Sequence, residues 1–293
     1  MATYAQITAY RPQDIDESLE AMRDALQYFH REHDQRAIFL RAYYLITIAM
    51  HCAVNRQAPY TTRMFFDAQW IRKLAGKFGA LYFQSLTTAD RPGERAWKHA
   101  HRLAENDQGS VLQDLLLGLN AHINYDLAYG IYLNMLEFGD DRDHLLLPRR
   151  KFDHDQVNSV LVDTMPRVEQ VLTRDYGGEV LALGTIAGSF DEVLAGAGLK
   201  YYRERVWWSA VSYLSATNEE ERGLVTTRLD WESGQLAGVI AGEENIVQRT
   251  LSRLANLLSK REFGDLQLER ETALAQLRSA PRSVIQHLAD GAE

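Results

Sequence analysis

The chain of 293 residues has one cysteine, Cys52. No disulfide can form within it, so a reducing, cytoplasmic setting is the default expectation. Cys52 has apolar sequence neighbours and makes a poor nucleophile. There is no glycine-rich phosphate loop, no Gly-x-Ser-x-Gly elbow and no Cys-x-x-Cys pair, which removes the chemistries those motifs carry. Alternation of period two between turn residues is missing, so no strands are expected. Glycine and proline are not enriched, and there is no low-complexity tract. The net charge of −8 argues against nucleic acid as the main partner, because a phosphate backbone calls for a basic surface. The opening MATYAQITAYRPQDIDE has neither a basic n-region nor an apolar h-region and does not read as a signal peptide. No run approaches the ~18 apolar residues of a membrane span.

What the chain does have is helical periodicity. The most apolar stretch, Gly109 to Phe138, carries Asn120, His122, Asn124, Asp126 and Asn134 in its middle. Polar groups in a core need partners, so these are knots of a hydrogen-bond network or working groups of a site. At about 100° per residue, His122, Tyr125, Asp126 and Tyr129 share a sector, with Gly118 one turn earlier. His122 and Asp126, four apart, can meet. The carboxylate can then orient the imidazole and raise its pKa. Gly118 leaves room beside the pair for a ligand or for a close helix crossing.

The remaining segments extend this picture. Residues 1–17 read as an irregular lead-in, 18–264 as one helical domain, and 265–293 as a polar helical tail. A second apolar helix, Gln35 to Gln57, aligns Tyr44, Thr47, His51 and Asn55 in a sector about 80° wide. Thr61 or Thr62 can cap a third helix, which carries Phe65, Phe66, Trp70, Tyr82 and Phe83; Gly76 and Gly79 bend it or admit a close neighbour. The loop GDDRDHLLLPRRK, with Asp140 and Arg150, looks solvated. Pro166 should kink the helix that follows. The small-residue segment 179–198 reads as helix, Asn218 as a cap, and 243–261 as an amphipathic helix. Glu94-Arg95-Ala96-Trp97 with Ala100 is echoed by Glu204-Arg205-Val206-Trp207 with Ala210. The fold expected is all-α, a single-domain bundle around a buried central helix at 109–138.

The block GLNAHINYDLA, Gly118 to Ala128, resembles a bacterial family catalogued as domain of unknown function 5995, with the likeness running over roughly Leu19 to Leu214. The resemblance implies that His122, Asn124 and Asp126 belong to that family's signature. It assigns them no role.

Three readings follow. The first is a cofactor-independent enzyme acting on a small, largely apolar molecule by isomerisation, cyclisation or hydrolysis. His122 is its acid or base, oriented by Asp126, with Tyr44, His51 and Tyr129 as donors. Asn55, Asn124, Trp70, Tyr82 and Phe83 bind the substrate. The second is a metal-dependent hydrolase with a divalent metal on His122 and Asp126, an i, i+4 chelate spacing. The third is a non-catalytic helical binding or scaffold protein whose polar residues only knit the core.

Overall fold

A computed structural model describes residues 2–87, 95–177 and 197–242. Among these the chain is helical throughout, with no strand. The helices are α1 (Tyr4–Thr8), α2 (Ile15–Arg31), α3 (Arg36–Val54), α4 (Ala68–Ser85), α5 (Arg95–Glu105), α6 (Val111–Ala121), α7 (Leu127–Glu137), α8 (Leu147–Tyr176), α9 (Ala197–Ser215) and α10 (Glu219–Ala241). The expected helices at 179–198 and 243–261 and the tail at 265–293 lie, in whole or nearly so, outside the described residues.

Local chemistry sets the boundaries. The lead-in is not irregular: Thr3 and Gln6 form a reciprocal capping box on α1, whose Ile7 is fully buried. Asp14 caps α2 by accepting from the Asp16 and Glu17 amides. Neither Thr61 nor Thr62 starts α4. Asp67 does, accepting from Gln69 and Trp70, so Phe65 and Phe66 lie in the loop before it. Asn218 caps α10 as expected, with Glu219, Glu220 and Glu221 on its positive end. Pro166 lies inside α8.

The central stretch is helical from Val111 to Glu137, but it is not one regular helix. His122–Asp126 form a π turn between α6 and α7. One extra residue in a turn rotates everything after it by about 100° relative to an unbroken helix.

Helix α3 joins three apolar clusters. Ile38 and Ala42 face α6 and α8, Phe39 and Tyr43 face α4, α5 and α6, and Met50 and Val54 face the group around α7 and α9. It is long and apolar enough to cross a membrane by composition, with mean hydropathy 1.6, more so than run-counting implied, and 56% of that window is buried inside the bundle. Two glycines of α4 allow a close approach by the chain entering α2. A Cβ on Gly76 would lie 2.3 Å from the Asp14 nitrogen, and one on Gly79 would lie 2.7 Å from Ser18 Oγ. The sequence echo also has a counterpart in space. Arg95 of α5 pairs with Asp230, and Arg205 of α9 pairs with Glu232, so both echoed arginines grip α10.

The acidic loop departs from expectation. Asp140 is fully buried and Arg150 nearly so. Arg150 Nε donates to both Asp140 oxygens, and its NH1 donates to Asp67 at 2.7 Å. Asp153 accepts from the Phe66 and Asp67 amides. These charges sew the start of α8 to the start of α4 instead of facing water.

Gly76→Ala should destabilise the fold by about 3 kcal/mol, because rigid backbone blocks the added methyl. That exceeds the roughly 1 kcal/mol gained in helix propensity. Urea denaturation measures it, and a stabilised variant would contradict this packing.

Candidate functional site

The buried centre is a three-residue node. His122 and Asp126 are each 3% exposed. His122 Nδ1 lies 3.0 Å from Asp126 Oδ2, and Trp97 of α5 donates its indole N–H to the same oxygen at 3.0 Å. The π turn supplies two members, and the apolar face of α5 supplies the third.

Aromatic rings enclose the imidazole. Phe78 of α4 stacks on it at 3.4 Å between centroids and 9° between planes. Tyr43 meets it edge-on at 4.3 Å, and Phe39 does so at 5.5 Å. The space freed by Gly118 holds the Phe39 ring: a Cβ there would lie 2.3 Å from Phe39 Cγ. Of the two uses expected for that room, a ligand or a close helix crossing, it serves the close crossing of α3 and α6. His122 Nε2 and Tyr82 Oη are buried and have no hydrogen-bond partner.

Burial sets the electrostatics. It holds the His122 imidazole well below its ordinary range and lifts the Asp126 carboxyl well above, with the Trp97 hydrogen bond opposing the second shift. Burial also raises the Tyr43 phenol, with Asp126 adding to the effect. The environment favours a neutral pair, a carboxylic acid donating to an imidazole.

The other predicted residues do not join this node. His51 and Asn55 form a separate, half-exposed group. His51 Nε2 lies 2.9 Å from Asp16 Oδ1 and 2.9 Å from Asn55 Nδ2. Arg72 donates to Asp16 at 2.7 Å and also to Asn55. His51 is eight residues beyond Tyr43 on α3, about 12 Å along the axis, so the two histidines do not share a pocket. Tyr44 packs half-buried on the outside of its cluster. Tyr129 contacts Tyr132 and Tyr213 instead of His122, since the π turn breaks the phase that aligned them in sequence. Asn124 donates to Asn120, which donates to the Ser233 carbonyl of α10. Trp70 and Phe83 are fully buried, and Asn134 donates to the Trp70 carbonyl. Of the proposed wall only Tyr82 nears the imidazole, at 6.3 Å.

Sequence reading missed Trp97, Phe39, Phe78 and Tyr43 at the node, and Asp16 and Arg72 beside His51. Trp97 carried a signal, its place on the buried stripe with Ala96, Ala100 and Leu103. Among the described residues, no group of three or more His, Cys, Asp or Glu is arranged to hold a metal ion.

The raised carboxyl makes stability depend on pH. Asp126 keeps its proton in the fold, whereas the unfolded chain loses it above about pH 3.9. Its contribution is full below that pH and is lost as pH rises towards the folded pKa. Asp126→Asn does not titrate there, so it should gain on the wild type by about 1.4 kcal/mol per pH unit from about pH 4 upward. Denaturation of both proteins between pH 4 and 8 tests this, and a constant difference would show an ionised Asp126.

No curated protein and no solved structure matches the chain. A model described as a family of unknown function (DUF5995) matches residues 15–242, and the chain belongs to that family.

Proposed function

We propose that this protein is a non-catalytic helical binding or scaffold protein, in which His122, Asp126 and Trp97 fix the packing of α5, α6 and α7. One observation carries the reading: the Phe39 ring fills the gap beside Gly118 and leaves the imidazole 3% exposed. A general acid or base must come within about 3 Å of a reacting atom, and here aromatic carbon occupies that distance. A node built for packing is enclosed instead, with His122 Nδ1, Asp126 Oδ2 and the Trp97 indole N–H partnered to one another and His122 Nε2 left against the rings.

A second reading keeps acid–base chemistry at His122 on a small apolar molecule. It is favoured by the π turn, a feature frequent at functional sites, and by the unpartnered His122 Nε2 facing ring carbon. It requires Phe39 or Phe78 to swing aside for each turnover.

Following the His122 imidazole by NMR from pH 5 to 8.5 separates the two. The scaffold reading expects one neutral form throughout. An imidazole that titrates in this window would overturn it and support the enzyme. His122→Ala should cost about 3–5 kcal/mol through the cavity and the orphaned Asp126, measured by thermal or urea unfolding.

A further inference from the structure

The end of α3 and the loop that leads into α4 enclose a cavity of about 250 Å³. It is lined by Arg56, Arg63, Met64, Phe65, Phe66 and Ala68, with Ala53 and Val54 behind them, and no acidic side chain reaches it. In a chain of net charge −8, two arginines beside apolar side chains form a local inversion of charge. The nearby carboxylates are engaged elsewhere. Asp67 is held by Arg150 and by two amides of its own helix, and Asp153 by the Phe66 and Asp67 amides.

The arginines themselves remain available. Arg63 donates Nε to the Phe65 carbonyl at 2.9 Å and NH2 to the Phe66 carbonyl at 2.6 Å. Carbonyls fix its orientation without neutralising its charge. The exposed Arg56 side chain has no hydrogen bond or ion pair among the described residues, while its backbone amide donates to the Ala53 carbonyl. Its backbone is also unusual. The Gln57 amide bonds to the Cys52 carbonyl, which closes α3 with a Schellman-type turn and places Arg56 in the left-handed region at φ 55°. Glycine fits that position without penalty, whereas a residue with a Cβ costs about 1–2 kcal/mol. The chain carries that cost at a residue that lines the cavity, as it does at His33 and Asp107 elsewhere.

We propose that this cavity binds a small amphiphilic monoanion, an aromatic or short acyl carboxylate. Its apolar body lies against Val54, Met64 and Phe65, and its carboxylate meets Arg56 and the free NH1 of Arg63. The volume falls below the roughly 300–1,000 Å³ usual for drug-sized ligands, which restricts the occupant to a single ring or a short chain. Guanidinium–carboxylate hydrogen bonds are the charge-assisted kind that supply specificity. The site is independent of how His122 is read, which the imidazole titration tests separately.

The probes are 3-phenylpropanoate and its neutral analogue 3-phenylpropan-1-ol, titrated into the full chain by calorimetry and by amide NMR. The acid should bind at least about tenfold more tightly than the alcohol, with shifts confined to residues 53–68. Arg56→Gln removes an unpaired exposed cation and should leave the unfolding midpoint unchanged while weakening the acid about tenfold. Ala68→Leu, which fills the cavity, should abolish binding of both probes. Equal affinity for acid and alcohol overturns the proposal. So does binding that survives both substitutions, or no binding of the acid up to its solubility limit.

Discussion

The interior of this bundle is organised by a rule of solvation: an imidazole and a carboxyl removed from water must neutralise one another on the spot. A buried lone charge is far costlier than a hydrogen bond is worth. His122 and Asp126 meet that demand through a single oxygen, which Trp97 shares. The consequences spread outward. Three elements must hold their spacing for three atoms to meet. Phe78 must lie flat on the ring, and α3 must cross α6 closely enough for Phe39 to fill the void at Gly118. The π turn belongs to the same account. It is where the backbone adjusts so that α6 and α7 can each present a correct face to different neighbours.

The same logic recurs away from the centre. Arg150 is held between Asp140 and Asp67, and His154 accepts a hydrogen bond to its carbonyl from Arg203 at 2.6 Å. The Arg150–Asp67 and Arg203–His154 contacts join segments 83 and 49 residues apart in sequence. Apolar burial drives such a bundle to collapse but is indifferent to rotation of one helix against another. Polar contacts with strict geometry choose among those rotations, so the polar groups specify the arrangement and the apolar ones stabilise it.

Sequence periodicity reached the parts of the structure that are local. The all-α class, the cap at Asn218, and the i, i+4 contacts His122–Asp126 and His51–Asn55 all depend on residues within one turn of each other. The glycines at 76, 79 and 118 announced close approaches, but not which side chains would meet there. Trp97 reaches Asp126 from 29 residues away, and Phe39 reaches Gly118 from further still. The polar sector of α3 holds Tyr44, whereas Tyr43, one position or about 100° away, is the tyrosine that meets His122, a difference that only the location of α4 and α6 sets. The Asp140–Arg150 pair was read as solvated because charged residues usually are. Its burial follows from partners in α4 that no local pattern announces.

Trp97 gives the core an optical consequence. Its indole donates to Asp126 on one edge and stacks on His101 at 5.0 Å and 11°. Burial pushes the His101 imidazole down to about 3, so the ring under the indole is neutral, and the charge that the excited indole senses is that of the carboxyl on its N–H. Trp70 and Trp207 are also buried, but their surroundings differ, whereas Trp208 and Trp231 are more than half exposed. The blue edge of the emission spectrum thus carries the three buried indoles, that of the node among them, and the red edge carries a signal from the outer face of α9 and α10. A single spectrum therefore distinguishes loosening of the core from events at the surface.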